Sequence, residues 1–283
     1  MKNKIYAFIV GYVALFNVQV AKATDNTLLY SISGNGLEDT SYIYGTIHLM
    51  CEEDFNISAK VSNAFASTEQ LFLEVDMDDP KEMATMMSAA KGKKKLTEIL
   101  TPEQQKKLDE KLQAEVGLPL AAVNDYSLST IQSLFMMKGL GCEKVKSYEQ
   151  EFLALAQSQD KEVHGMEKAS FQIKCLKKST SAEDQFDDLF DPGNNDMLKG
   201  LIENYKNEDM NALGEMFGDT TYMDDNMREW LLVKRNNNWV KKMPKIMTEK
   251  PIFFAVGAAH LLGDYGVLDL LRTEGYIVTP IEV

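Results

Sequence analysis

Short apolar runs gather toward the two ends of the chain, and the stretch between them carries apolar residues at helical spacing. Thr27 to Ser33 and Ser41 to Tyr44 are β-rich and separated by Gly34-Asn35-Gly36, the chemistry of a hairpin turn. Gln70 to Val75, built on Leu71-Phe72-Leu73, predicts a buried strand, and Lys161 to Met166 a shorter one. Ile252 to Val256 is the most apolar strand candidate, and Tyr276 to Ile281 closes the series. Helical patterns cover about 81–90, 128–138, 167–178, 195–217, 224–248 and 264–274, with Pro244 expected to kink or end the fifth. Thr101-Pro102-Glu103-Gln104 and Ser147-Tyr148-Glu149-Gln150 have the form of capping boxes and mark two helix starts. Strands alternating with helices at the ends, around a helical middle insertion that is a candidate lid, predict an α/β fold. No repeat or Pro/Ser/Gly linker divides it, so residues 24–283 are expected to form one domain.

The first 23 residues read differently. Lys2 and Lys4, an apolar run from Ile5 to Val20 and Ala21-Lys22-Ala23 have the form of a secretory signal peptide over 1–23, with mature protein from about Thr24. That run falls short of the roughly 20 residues that span a bilayer. An exported protein, periplasmic or secreted, is expected, with no membrane insertion after cleavage. The net charge is −13, and the leader holds three lysines and no acid, so the mature chain carries −16. Such an acidic surface argues against nucleic acid and anionic membranes as partners. The basic run from Lys91 to Lys95 reads as a solvated loop. Cys51, Cys142 and Cys175 would enter an oxidising compartment, where one pair can bridge. Cys142 with Cys175 is the expected pair, because they flank a helix–strand–helix unit.

The chain has three histidines, and two share a local context. Gly45-Thr46-Ile47-His48 and Gly257-Ala258-Ala259-His260 each run from an apolar strand through glycine to histidine. A glycine at a strand end lets the backbone turn sharply, which would set both imidazoles over the carboxyl edge of a sheet, where open α/β sheets bind ligands. A single strand-end histidine is more often a hydrogen-bonded core residue, and the matched pair shifts that balance. Glu74, in Leu73-Glu74-Val75-Asp76, adds a carboxylate that needs a cation or hydrogen-bond partner once buried. His48, Glu74 and His260 are thus candidate ligands for a divalent metal ion such as Zn, Mn or Co, with Asp76 as the competing carboxylate. His48 acting as a general base with Glu74 or Glu167 as its orienter is the metal-free alternative.

These motifs resemble the TraB/GumN family, which includes the Tiki metalloproteases and is distantly akin to erythromycin esterases. The resemblance rests on Tyr44-Gly45-Thr46-Ile47-His48-Leu49, Ala255-Val256-Gly257-Ala258-Ala259-His260, Leu73-Glu74-Val75-Asp76, Gly165-Met166-Glu167 with Gln172, Arg235-Asn236 with Trp239, and Gly275-Tyr276-Ile277-Val278. It implies a mixed central sheet with flanking helices and the two G-x-x-H loops at strand ends. For the Tiki branch it implies divalent-metal-dependent proteolysis. Glu167 is then a candidate general base or further ligand. Arg235 would face a substrate carboxylate or oxyanion, or else pair with Glu167, and Asn236 and Gln172 would orient water or ligand.

The expected function is an exported metal-dependent hydrolase of peptide or ester bonds, taking a peptide or small-molecule substrate. The alternative is an exported, non-catalytic binding protein for a peptide, metal or haem. Sixteen methionines, with doublets at Met86-Met87 and Met136-Met137, read as core filling rather than copper ligands. His164 matches no motif position.

Overall fold

The computed structural model describes residues 26–282, so the signal peptide expected over 1–23 lies outside the described residues. Among the described residues, eight strands form: β1 (Leu29–Ser33), β2 (Ser41–Thr46), β3 (Met50–Cys51), β4 (Gln70–Val75), β5 (Val145–Lys146), β6 (Glu162–Glu167), β7 (Ile252–Gly257) and β8 (Ile277–Pro280). Six make one sheet in the order β6-β4-β7-β2-β1-β8. Neighbours β6, β4, β7 and β2 run parallel, and β1 is antiparallel to both β2 and β8. The fold is therefore a mixed α/β sheet flanked by helices. Strands such as β7, buried along Ile252–Val256, are covered on both faces, which explains a continuous apolar run without alternation. The β1–β2 hairpin turns where Gly34, Asn35 and Gly36 all take positive φ, a conformation that glycine and asparagine reach at little cost.

The helical middle carries a core of its own. Leu96, Leu108, Leu112, Ile131, Phe186 and Leu189 pack as a cluster apart from the one that covers the sheet. Its helix Pro102–Glu115 opens on the expected capping box, in which Gln104 N–H donates to Thr101 Oγ1 (3.2 Å) and Thr101 N–H to Gln104 Oε1 (2.9 Å).

Two long helical patterns divide. The pattern over 195–217 becomes Asn194–Lys206 and Met210–Gly218, because Glu208 turns to φ 51° and spends its carboxylate on Lys60 Nζ (2.7 Å) and Leu28 N–H (3.2 Å). The pattern over 224–248 becomes Asp225–Arg228, a π-helical turn Glu229–Val233, Lys234–Val240 and then Met243–Glu249. The helix before Pro244 ends at Val240, in keeping with the expected break, and Pro244 itself sits in the first turn of the next helix, where the missing N–H costs nothing.

The expected Cys142–Cys175 bridge is corrected. Cys51 and Cys142 are joined, with Cα atoms 5.9 Å apart, and Cys175 is a free, buried thiol in the helix Ala169–Ser179. The cause is a two-residue ladder between β3 and β5, which pairs Cys51 with Val145 and so carries Cys51 to the segment holding Cys142.

Candidate active site

The four parallel strands end side by side, and each delivers one titratable group to the same edge. Glu167 is the last residue of β6 and Glu74 the penultimate residue of β4, while His48 lies two residues past β2 and His260 on the 3₁₀ turn Ala258–Leu261 that follows β7. β2 and β7 are paired with Thr46 opposite Gly257, so the two glycine–histidine loops leave the sheet together. Their glycines permit the approach. A Cβ on Gly45 would meet the Ala258 Cα at 3.1 Å, and one on Gly257 would meet Glu74 Oε1 at 3.2 Å. Gly257 N–H donates to that same oxygen at 2.8 Å.

Beneath the edge lies a buried ionic network centred on Arg235. Its Nη2 donates to Glu74 Oε2 at 2.5 Å, its Nε to Glu167 Oε1 at 2.7 Å, and its Nη1 to His260 Nε2 at 3.0 Å and Leu231 O at 3.1 Å. The π turn just before it belongs to a class of helix irregularity common at functional sites, and Arg235, Asn236 and Trp239 are all buried on the helix that follows. Trp239 donates to Glu167 Oε2 (3.1 Å), its ring lies 4.4 Å from that of His260, and Gln172 donates to Glu74 Oε2 (2.8 Å). Burial would raise the Glu74 carboxyl, but the Arg235 guanidinium, with the two histidines and the Gly257 N–H, together outweigh it and hold the group well below the usual carboxylate range. For Glu167 the burial wins and its carboxyl is raised.

His260 is buried and neutral. Burial, and then the nearby Arg235 cation, push it down to about 3. With Nε2 accepting from Arg235, its Nδ1–H donates to Asn236 Oδ1 at 2.5 Å. Asn236 also donates to the carbonyls of His260 (3.3 Å) and Tyr265 (2.8 Å), so it clamps the second histidine loop.

His48 stands in the opposite situation, with its side chain 71% exposed. Its Nδ1 meets Glu149 Oε1 at 3.1 Å, and that hydrogen bond pushes the imidazole up to about 9. Glu149 is fixed in turn by Thr46 Oγ1 (2.7 Å) and Ser147 Oγ (2.8 Å), in the first turn of the helix Tyr148–Ser158. Burial would raise the Glu149 carboxyl, yet His48 and the two hydroxyls lower it. His48 and Glu74 line one cavity of about 240 Å³, with Glu149 and Gln172 beside them.

Sequence reasoning missed Glu149. The signal was present in Ser147-Tyr148-Glu149-Gln150, read only as a helix start. Gln150 N–H does reach Ser147 Oγ (3.5 Å), but the Ser147 hydroxyl is turned onto Glu149. Asp76 does not join the site. Its Oδ1 accepts from the N–H groups of Asp78 (3.0 Å) and Asp79 (3.1 Å), and it lines a separate groove with His164 and Glu162. Arg235 and Glu167 face each other rather than the cavity, the ion-pair alternative of the sequence reading.

The ligand set His48, Glu74 and His260 does not fit a metal ion in this arrangement. His260 Nε2 accepts from Arg235, both Glu74 oxygens are hydrogen-bonded, and a guanidinium stands where a cation would bind Glu74. Among the described residues, the one group of three donors within 4.8 Å of one another is Cys51, Glu53 and Cys142, whose cysteines are bridged.

With this geometry in place, comparison gives the class. The model of the TraB/PrgY/gumN family matches residues 28–280, and the chain belongs to that family. It is similar over 59 residues to the metalloproteases TIKI2 of Danio rerio (41% identical, 20% of this chain and 11% of that protein) and TIKI1 of Homo sapiens (42%, 20% and 12%). The matched segment thus spans about an eighth or less of those relatives. No solved structure matches the chain.

Proposed function

We propose that the protein is an exported hydrolase that cleaves a peptide or ester bond at the cavity over His48. The observation that carries this reading is an exposed imidazole whose Nδ1 rests on a carboxylate that is itself held by two hydroxyls. A ring so oriented has a fixed tautomer and a raised basicity, the equipment of a general base that takes a proton from water. Glu74 supplies the negative floor of the cavity, and Arg235 balances it from below. Asn236 and His260 hold the second loop in place. The Cys51–Cys142 bridge supports export, since such bonds persist in oxidising compartments.

A second reading has its own support, in the names of the Tiki relatives and in the same His48–Glu149 contact. A carboxylate on Nδ1 is also how metal-binding histidines are oriented, which would leave His48 Nε2 and Glu74 to hold Zn, Mn or Co. Such an ion supplies a water of lowered pKa. This reading requires Arg235 to release Glu74.

Incubation of the mature protein and His48→Ala with a mixed peptide library, followed by mass spectrometry with and without chelator, decides between them. Cleavage that is lost in His48→Ala and survives chelation fits the first reading. Cleavage abolished by chelator, with stoichiometric metal in the purified protein, replaces it with the second. Tight ligand binding without turnover would make this a binding protein instead.

A further inference from the structure

The wall of the His48 cavity is apolar, and much of it is methionine. Leu73 and Val75 come from β4, Met77 from the turn after it, and Met83 and Met86 from the helix Pro80–Ala90. Met83 and Met86, three residues apart on the helix, both line the cavity, while Met87 is 70% exposed and does not. The helix is anchored at its start. Asp79 caps it through Lys81 N–H (2.8 Å), and Glu82 accepts from Ala169 N–H (2.8 Å) and pairs with Lys168 (2.9 Å). Its methionine face is thereby fixed against the cavity beside Gln172.

Resting on the hydrolase reading, we propose that this cavity receives one bulky apolar side chain of a peptide substrate, adjacent to the bond cleaved at His48. Size supports a single side chain. At about 240 Å³ the cavity is smaller than the roughly 300–1,000 Å³ of sites that enclose a whole small molecule, haem included. The lining supports an apolar occupant. Leucine, valine and methionine side chains form most of the wall and bury an apolar side chain's surface, while the two carboxylates that border it, Glu74 and Glu149, are already paired with Arg235 and His48. Methionines are flexible and polarisable, so the pocket accepts leucine, methionine or phenylalanine rather than one shape.

The test uses the mature protein with matched fluorogenic peptides that differ at one position, leucine, phenylalanine, alanine or aspartate. The expected kcat/KM ratio of leucine to alanine is about 10- to 200-fold, the range for filling an apolar pocket. Met86→Trp, which fills the cavity, collapses that ratio, and Met83→Asp does so by charge should the tryptophan variant fail to fold. Met87→Ala keeps it. Calorimetric titration with N-acetyl-leucinamide and N-acetyl-aspartamide reads the pocket without turnover. Cleavage with equal kcat/KM for all four peptides overturns the pocket and leaves the hydrolase. Selective binding of the leucine probe, weakened in Met86→Trp, with no peptide cut keeps the pocket and overturns the hydrolase. Neither binding nor cleavage overturns both.

Discussion

An imidazole that donates Nδ1–H to a carboxylate keeps its own proton longer, so Glu149 sets the pH at which His48 can act as a base. With His48 held up to about 9, only a minor fraction of the ring is unprotonated at neutral pH, and hydrolysis should rise with pH until that value. In Glu149→Gln the ring loses this partner, and the limb of the kcat/KM profile should move down toward the ordinary histidine value of about 6.5. His48→Ala should lower kcat/KM by about 10²- to 10⁴-fold, the usual contribution of a general base. Arg235 acts through charge rather than chemistry. Replacing it with methionine leaves Glu74 and Glu167 buried without their cation, at a cost of about 3–5 kcal/mol in urea denaturation. The sign of the pH response follows: both orphaned carboxyls would have raised pKa values, so the deficit of Arg235→Met should shrink as pH falls and they protonate. A deficit that ignores pH would mean that packing, not charge, is what Arg235 provides.

At the scale of the element, the parts legible in the sequence are those with a long enough period. The apolar runs of β4 and β7 and the two strand-end glycine–histidine loops are readable because burial on both faces and sharp exit from a sheet leave marks in composition. β3 and β5 are two residues each, too short for any periodicity, and they decide the disulfide. Glu149 was hidden for a related reason: a glutamate early in a helix is explained locally by the helix dipole, so nothing in the pattern marks its contact with His48, 101 residues away. Nor does sequence reveal which of several donors a buried carboxylate prefers. Glu74 meets Arg235 because one helix, entered through a π turn, presents the guanidinium to it. The bridge matters to the site, since Cys51 lies three residues after His48 and ties that loop to the segment before β5. Cys142→Ser should lower stability by about 2–4 kcal/mol, in keeping with the long loop the bond closes, and make the unfolding midpoint indifferent to reductant. An unchanged midpoint would show that the β3–β5 ladder holds the loop alone.

For the whole molecule, compartment, charge and covalent structure have to agree. The chain carries a net charge of −13, a balance that discourages contact with nucleic acid or anionic lipid while saying nothing of where the protein resides. A bond such as Cys51–Cys142, joining residues 91 apart, is of the kind that forms and persists in oxidising compartments, which is what the proposed export would supply. Export therefore predicts a particular thiol count. Protein taken from the exported fraction and alkylated while folded should incorporate nothing, since Cys175 is buried in its helix. Denatured without reductant it should take up one group, at Cys175, and after reduction three. Peptide mapping of the same sample should find the chain beginning near Thr24. A cell-associated chain that starts at Met1 and yields three reactive thiols before any reduction would place the fold in a reducing compartment. The bridge would then not form there, and the His48 loop would rest on the β3–β5 ladder without its covalent tie.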